Sequence, residues 1–480
     1  MNSQEPIRDA RKLGTPKMLL LGLQHMFAMF GATVLVPILV NSYGLPLNIQ
    51  TTLFFAGLGT LFFHVCTKMK VPAFLGSSFA FLGGFEAVAN LSSGKYADMA
   101  ASEKLQYACG GIVIAGLLYV VLAAIIKAVG VKKVMRFLPP VVTGPIIILI
   151  GLNLAPSAVN NAKTCWWLAL VAMAIIIVAN IWGRGMIKII PILLGVVGAY
   201  IVAVIANALG ATALDFSGEV ATVVPLMDFS GLAGTGIVGL QPFLTDFGGS
   251  VAKFDLTSIL VMAPIAIASM MEHIGDMSAI SATVGSNFIQ DPGLHRTLIG
   301  DGIATSLAGL FGGPANTTYG ENTGVLVLSR VHDPRVIRLA AVYALVLSFS
   351  PAFAAVVSSI PSAIIGGVSF ILYGMISAIG VRNVVENQVD FTNSRNLIIA
   401  AVILVCGLGF SGGLTFTIGS AHITLTSLAI AAIAGIALNA ILPGKDYEFG
   451  VNPEGDKNQG IAIDPAGDKN QSADESDEEN

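Results

Sequence analysis

The stretch Gly312-Gly-Pro-Ala-Asn-Thr-Thr-Tyr-Gly-Glu-Asn-Thr-Gly324 decides how the rest of the chain is interpreted. It is too polar and too rich in glycine for an ordinary membrane helix, yet apolar runs flank it on both sides. In lipid, irregular backbone must be buried in protein or line a wet cavity, because unmet N–H and C=O groups are costly there. The carboxylate Glu321 within the stretch is itself a functional-site hypothesis. A broken apolar segment of this kind indicates the binding site of a transporter.

The composition of the whole chain is that of a polytopic membrane protein. Of 480 residues, 54% are hydrophobic and 11% are charged, and the mean hydropathy is +0.79. Soluble domains carry about 25% charged residues. The formal net charge of −4 hides an asymmetry, because residues 444–480 hold 11 of the 29 acids and 3 of the 25 bases. The part before them therefore has 18 acids and 22 bases, a net charge of +4, which does not suggest binding to nucleic acid.

The sequence carries no pattern typical of a cofactor site or of an enzyme. Four cysteines are scattered in or near apolar runs without metal-ligand spacing, and we expect no disulfide. A nucleophile–base spacing and a phosphate-binding loop are also missing from the sequence. We therefore expect no cofactor, no metal and no catalytic residue, and a membrane enzyme or receptor is the least favoured class.

Apolar runs predict about fourteen membrane spans, since a span needs about 20 apolar residues. Residues 338–359 are predicted as the eleventh span and residues 421–442 as the fourteenth. The longest loop, 210–256, separates seven spans at 18–209 from seven spans at 257–442. Because seven is odd, the second half starts on the opposite side of the membrane, as in an inverted repeat. The predicted fold is an all-α polytopic membrane protein with two inverted seven-span repeats.

Lysine and arginine residues predict the orientation of the chain. They concentrate in alternate loops, beginning with the N-terminal segment 1–17, and the other loops hold few of them. Both termini are therefore expected in the cytoplasm, with the loop 210–256 outside. The acidic segment 443–480 repeats Gly-Asp-Lys-Asn-Gln and is too polar to bury a core, so we expect a disordered cytoplasmic tail.

Two carboxylates, Glu272 and Asp276, lie four residues apart inside an apolar run. Four residues is about one helical turn, so both side chains face the same side. Burial disfavours the charged form of a carboxyl group, which suits a proton carrier or a hydrogen-bonding ligand group. The less favoured alternative is a pair satisfied by neighbouring helices with no role in transport. His273 points about 100° away, and a packing role is favoured for it over a ligand or pH-switch role.

A second polar pattern lies in the third predicted span. Gly76-Ser-Ser-Phe79 follows a poor helix start, and the Thr-Thr-Tyr run ending at Tyr319 is good strand material. We predict short β-strands in the broken spans 3 and 10, which would meet near the bilayer middle and satisfy each other's backbone. Helix N-termini with free N–H groups would then face a cavity. Phe79 and Tyr319 are candidates to stack on a ligand, with ordinary aromatic packing as the alternative.

The groups expected at this cavity favour a planar heterocycle as the ligand. Carboxylates supply acceptors, backbone N–H groups supply donors, and an aromatic face supplies stacking. A flat ring with alternating N–H and C=O groups matches all three. A sugar would need more Asn, Gln and Trp, and a metal ion would need ligands free of competing N–H donors. An anion would be repelled by ionised carboxylates, which disfavours an anion transporter of the same inverted architecture.

Five ordered motifs closely resemble those of the nucleobase–cation symporter-2 (nucleobase–ascorbate transporter) family. They are Gln24-His-Met-Phe-Ala-Met-Phe-Gly-Ala32, Gly76-Ser-Ser-Phe-Ala-Phe81, Glu272-His-Ile-Gly275, Asp291-Pro-Gly-Leu-His-Arg296 and Asn316-Thr-Thr-Tyr-Gly-Glu-Asn322. The resemblance runs from about residue 15 to 440. Within the family, the second and fifth motifs are similar to those of bacterial uracil permeases.

This resemblance implies a core domain of spans 1–4 and 8–11 and a gate domain of spans 5–7 and 12–14. It also implies proton-coupled uptake of uracil across the cytoplasmic membrane of a bacterium, with a xanthine or other purine permease as the alternative. The implied partners are uracil, protons, membrane lipid and a second copy of the chain in a homodimer through the gate domain.

The resemblance further assigns roles to single residues. The substrate-binding candidates are Ala32, Ser78, Phe79, Glu272, Tyr319, Gly320 and Glu321. The two glutamates would hydrogen-bond uracil, Phe79 would pack on the ring, and backbone at Phe79, Gly320 and Ala32 would contact it. Some similar transporters carry a histidine where this chain has Asp276, which favours a carboxylate relay between Asp276 and Glu272 for proton coupling. His273 is the third proton-coupling candidate.

Overall fold

A computed structural model describes most of the chain. The described residues are 6–92, 94–210, 213–214, 220–221, 226, 232, 235–245, 251–418 and 421–444. The predicted tail therefore lies outside the described residues from 445 onward, as does about half of the predicted loop at 210–256.

Helices dominate the first half of the chain, and a short strand interrupts them. The elements are α1 (Thr15–Ser42), α2 (Ile49–Cys66), β1 (Leu75–Ser77), α3 (Leu82–Ala89), α4 (Ala101–Val129), α5 (Val131–Met135), α6 (Pro140–Ala162), α7 (Trp166–Ile181), α8 (Met186–Ile189) and α9 (Pro191–Ala208). A 3₁₀ turn at Phe79–Phe81 joins β1 to α3. The connection between the halves contains β2 (Ala213–Leu214), β3 (Val220–Ala221) and α10 (Pro242–Thr245).

The second half follows a similar order. Its elements are α11 (Leu256–Met262), α12 (Ile265–Val284), α13 (Leu294–Leu310), β4 (Asn316–Thr318), α14 (Gly320–Ser329), α15 (Pro334–Ser348), α16 (Pro351–Ser358), α17 (Ser362–Glu386), α18 (Ser394–Gly409), β5 (Leu414–Ile418), β6 (Ala421–Leu425) and α19 (Ser427–Ile441). Gly285, in the left-handed conformation, ends α12, and Asp333 caps α15, where Pro334 starts the helix.

Seven helices in the described residues are long and apolar enough to cross a membrane, and α15 with α16 forms one further bent pair. The single span predicted at 338–359 stays a prediction, and the structure divides this stretch into two helices with a bend of 90° between them. Pro351 starts the new helix and Ser350 Oγ caps it by accepting from Phe353 N at 3.2 Å. The prediction at 421–442 is corrected at its start, because residues 421–425 form β6, which pairs with β5.

The strands β1 and β4, called the crossing strands below, lie side by side in the buried interior and form an antiparallel pair. Gly76 lies opposite Thr317. Two further bonds lengthen the ladder, from Ser78 N to Ala315 O at 2.8 Å and from Tyr319 N to Phe74 O at 3.0 Å. The two non-helical segments thus satisfy each other's backbone groups, as buried irregular backbone in a membrane requires.

Helices around this crossing approach one another closely. A Cβ atom at Gly151 of α6 would lie 2.2 Å from the carbonyl oxygen of Tyr373 in α17, so only glycine fits there. Small residues at such contacts let membrane helices pack backbone to backbone. The pair α6 and α17 therefore forms a tight unit next to the crossing strands.

Candidate substrate site

A cavity of about 220 Å³ lies beside the crossing strands. It is bounded by α12, by the connection from β4 to α14, and by α6 and α17. Phe79 of the 3₁₀ turn lines it as well, so both broken segments contribute. At the other end Arg382, whose side chain is 70% exposed, brings the cavity to the surface of the molecule.

Each crossing strand leads directly into a helical N-terminus at the cavity. Gly320 begins α14 after the extended residue Tyr319, and no side chain caps that N-terminus. Phe79 begins its 3₁₀ turn after the extended residue Ser78, again without a side-chain cap. The first N–H groups of a helix lack intrahelical acceptors. Both turns therefore offer backbone donors to a bound molecule.

Four carboxylates line the cavity. Glu386 pairs with Arg382 near the surface, and the other three lie next to the paired strands. Glu272 and Asp276 lie one turn apart on α12, and Glu321 lies in the first turn of α14, where the helix dipole favours a negative charge. Asp276 Oδ2 accepts from Thr318 Oγ1 at 2.7 Å. Among the described residues, the buried Glu272 Oε2 has no hydrogen-bond partner. One acid is thus held by the protein, whereas another keeps an acceptor available for a ligand.

Two aromatic rings from the broken segments lie at the cavity. Phe79 and Tyr319 both line it. The Tyr319 hydroxyl donates to Ser77 O at 3.0 Å and accepts from Thr33 Oγ1 at 3.3 Å. The hydroxyl end of Tyr319 is therefore held by β1 and α1. Phe79 is then the aromatic ring that offers an apolar face to a bound molecule.

The predicted proton-coupling residue His273 lies away from the cavity lining. Its Nδ1 is 2.8 Å from Asp301 Oδ2, and its Nε2 is 3.0 Å from Thr297 Oγ1. His273 and Asp301 are fully buried between α12 and α13. In this structure His273 therefore connects α12 to α13, and its role in proton coupling stays a prediction.

Ala32 and Ser78, predicted as substrate-binding, lie behind the residues that line the cavity. Ala32 is fully buried in α1, which packs on β1. Ser78 is buried and its Oγ lies 3.3 Å from Ser269 Oγ of α12. In this conformation Glu272, Asp276, Glu321 and Phe79 line the cavity together. The side chains of Ala32 and Ser78 are not among the lining residues.

The arrangement can bind a flat, polar ring and hold a proton nearby. It combines carboxylate acceptors, backbone donors and one aromatic face around a small volume. In the described part of the chain, no group of three or more His, Cys, Asp or Glu side chains is placed to hold a metal ion.

Comparison with known proteins gives the family. A family model described as "Permease family" matches residues 16–416, which is most of the chain. The chain belongs to this permease family. The membership confirms the family expected from the five motifs and makes the chain a multi-pass membrane permease.

Similar proteins are named as uracil or pyrimidine permeases. The uracil permease of Bacillus caldolyticus is 41% identical over 434 residues, which cover 88% of this chain and 92% of that protein. The uracil permease of Bacillus subtilis is 39% identical, with 88% and 91% covered. A putative pyrimidine permease, RutG of Escherichia coli, is 36% identical, with 88% and 89% covered.

Solved structures of similar fold are membrane transporters. The transmembrane domain of the cyanobacterial bicarbonate transporter BicA has a TM-score of 0.52 at 16% identity, with 89% of this chain and 99% of that chain covered. SLC26A9 has a TM-score of 0.58 at 12% identity, with 90% and 65% covered. At these identities the likeness shows the fold alone.

Three residues at or near the candidate site were not predicted from the sequence. Tyr373 of α17 contacts Phe79, with ring centroids 6.0 Å apart and an interplanar angle of 72°. Asp301 pairs with His273, and Arg382 lines the cavity and pairs with Glu386 at 2.5 Å. For Asp301 a signal existed, since it is a carboxylate within an apolar helix. Tyr373 gave no comparable signal, because tyrosines are common in ordinary packing.

Proposed function

We propose that this permease takes up uracil, coupled to protons, across the cytoplasmic membrane of a bacterium. One observation carries the proposal: the cavity joins Glu272, Glu321, two helical N-termini and Phe79 around one small volume. The second support is identity of 41% and 39% to two uracil permeases over nearly nine-tenths of the chain.

Uracil is a flat ring with two N–H donors and two carbonyl acceptors, so it complements each part of the site. Glu272 and Glu321 accept from the ring N–H groups, since carboxylate acceptors make the stronger hydrogen bonds. Backbone N–H groups at Gly320 and Phe79 donate to the carbonyl oxygens. The Phe79 ring packs against one face of uracil. Tyr319 and the buried residues behind it hold these groups in place.

We assign the coupled proton to the pair Glu272 and Asp276. These acids lie one turn apart beside Glu321, and like charges in one site disfavour full ionisation. A proton on the pair lowers the negative charge of the cavity. It thereby reduces the repulsion of the electron-rich carbonyl groups of uracil and favours uracil binding. The coupling is reciprocal, because uracil must then favour proton binding by the same factor. Asp276 receives a hydrogen bond from Thr318 Oγ1, which ties the proton site to β4.

We further propose fourteen spans in two inverted repeats at 18–209 and 257–442. In support, α1 to α9 and α11 to α19 each form seven segments in the same order, with a strand and short helix in third place. The core domain of spans 1–4 and 8–11 would move against the gate domain of spans 5–7 and 12–14. The cavity lies between α12 and α14 on one side and α6 and α17 on the other, so such movement would open and close it.

The placement in the membrane follows from the charge bias of the loops. Both termini, including the segment 443–480, are proposed in the cytoplasm, with the connection 210–256 outside. Lipid contacts the exposed apolar side chains of the outer helices, such as Ile177 and Val178 of α7. A homodimer through the gate domain remains the proposed assembly.

Equilibrium binding to the purified protein tests the assignment of site residues. The variants Glu272→Gln and Glu321→Ala should each lose uracil binding, whereas the control Glu103→Gln should bind like the unmodified protein. Glu103 pairs with Lys253 on the surface and is 40% exposed, so it removes a carboxylate without touching the cavity. Unlabelled xanthine should fail to displace uracil. Normal uracil binding by Glu321→Ala would show that the site is wrongly assigned, and displacement by xanthine would favour a purine permease.

A further inference from the structure

The segment before α1 is bonded to the chain that leaves α14. Residues 6–14, called the N-terminal strap below, run along the ends of the site helices. Ile7 N donates to Arg330 O at 2.9 Å, and Ile7 O accepts from His332 N at 2.9 Å. These bonds form a parallel bridge directly after α14, the helix that carries Glu321.

The same strap contacts the end of α12, which carries Glu272 and Asp276. Arg8 Nη2 donates to Val284 O at 3.1 Å, and Arg8 Nη1 donates to Ser286 Oγ at 3.2 Å. Val284 is the last residue of α12, where backbone carbonyls lack intrahelical donors. A guanidinium at this position satisfies a carbonyl and also complements the negative end of the helix dipole.

A third set of bonds fixes the strap to the start of α15. Ala10 N donates to Asp333 Oδ2 at 2.7 Å. Arg335 Nη1 lies 3.0 Å from Asp9 Oδ1 and 3.1 Å from Asp333 Oδ2. The Arg11 guanidinium, by its hydrogen bond, lowers the pKa of Asp9 to about 2, so Asp9 stays charged over the physiological pH range. Successive strap residues therefore bind the ends of three separate helices.

We propose that Arg8 is a positioning residue for substrate binding, which acts by fixing the spacing between α12 and α14. Glu272 lies twelve residues before Val284 and Glu321 nine residues before Arg330, or about 18 Å and 14 Å along the helix axes. A small change of angle at the bonded ends is thus enlarged at the carboxylates. Errors of about 1 Å in such geometry reduce function strongly. The inference rests on the proposed function, since uracil is the molecule that both carboxylates bind.

The test compares three variants of the full-length protein. Arg8→Ala removes the contact with α12, Arg8→Lys keeps the charge, and the control Lys12→Ala removes one charge from an exposed strap residue. Uracil affinity and hydrogen–deuterium exchange of peptides covering 280–288 and 326–334 are measured for each. We expect Arg8→Ala to raise the uracil Kd about fivefold, the effect typical of a cation at a helix end. Exchange should rise in both peptides, Arg8→Lys should recover part of the affinity, and Lys12→Ala should match the unmodified protein.

The outcomes separate this inference from the proposed function. Faster exchange in Arg8→Ala with an unchanged uracil Kd would make the strap a purely structural feature and overturn the proposal. Unchanged exchange in either peptide would overturn it too. If the unmodified protein fails to bind uracil, the proposed function is refuted, and exchange alone then decides whether the strap couples α12 to α14. If Arg8→Ala does not fold, Ser286→Ala removes one acceptor only and should raise the Kd by a smaller factor.

Discussion

Replacing Gly76 with alanine perturbs the point where β1 passes over the ring of Tyr319. A Cβ atom at Gly76 would lie 2.3 Å from Cε2 and Cζ of Tyr319 and 2.7 Å from its hydroxyl oxygen. Carbon atoms rest about 3.5 Å apart or more, so the ring would have to withdraw by roughly 1.2 Å. The hydroxyl of Tyr319 is bonded to Ser77 O and Thr33 Oγ1, which opposes that movement.

The expected magnitude follows from this overlap. Inserting a methyl group into a filled interior costs about 1–3 kcal/mol, so we expect a lower free energy of unfolding by that amount. Tyr319 directly precedes Gly320 and Glu321, so a shifted ring displaces the start of α14 at the cavity. Because about 1 Å of misplacement can reduce function up to a hundredfold, the uracil Kd of Gly76→Ala should rise at least tenfold.

The assay is thermal unfolding of the purified protein with and without uracil. Gly83→Ala is the matched control, because no atom lies within 4 Å of a Cβ at Gly83 on the exposed side of α3. Alanine is favoured over glycine within a helix by about 0.5–1 kcal/mol, so this variant should melt at the same temperature or higher and bind normally. If Gly76→Ala melts and binds like the unmodified protein, the close packing of β1 on Tyr319 is refuted.

Two further substitutions test a buried hydrogen bond and a partly exposed ion pair. Asp301→Ala leaves a ring nitrogen of the buried His273 without its hydrogen-bond partner and should lower the free energy of unfolding by about 1–3 kcal/mol; an unchanged melting temperature would contradict this. Burial raises the pKa of Asp255, but hydrogen bonds from Lys95 and Tyr96 outweigh it, so the pKa lies below its ordinary value. The ionised Asp255 therefore stabilises the folded protein fully above about pH 4, and this contribution is lost as the pH falls further. The melting temperature of Asp255→Asn should consequently fall less steeply below pH 4 than that of the unmodified protein. Parallel curves of melting temperature against pH for the two proteins would contradict the pairing.

Some of the site could be predicted because its residues conflict with their surroundings. Glu272, Asp276 and Glu321 are carboxylates in apolar segments, which are costly without a role. Thr317 and Thr318, followed by a tyrosine, disfavour a helix and could be predicted as extended. In each case a local rule of sequence is broken, and the structure places these residues at the cavity or beside it.

Other features were beyond prediction because uniformly apolar helices carry little directional information. Sequence periodicity indicates the buried face of a helix only when the opposite face is polar. In lipid both faces of α17 are apolar, so the contact of Tyr373 with Phe79 could not be predicted. The 90° bend between α15 and α16 does carry a local signal, since Ser350 precedes Pro351, but the apolar residues on both sides favour one straight span. The bonds of Arg8 to α12 join positions 276 residues or more apart, and short basic segments are usually taken for loops.

The central claim is tested most directly by uptake of labelled uracil into proteoliposomes with and without an inward proton gradient. We predict accumulation of uracil above its outside concentration with the gradient, and only equilibration once the gradient is collapsed. The proton coupling would be contradicted by accumulation that ignores the gradient. Absence of uracil uptake under both conditions, in vesicles that contain folded protein, would contradict the proposed substrate itself.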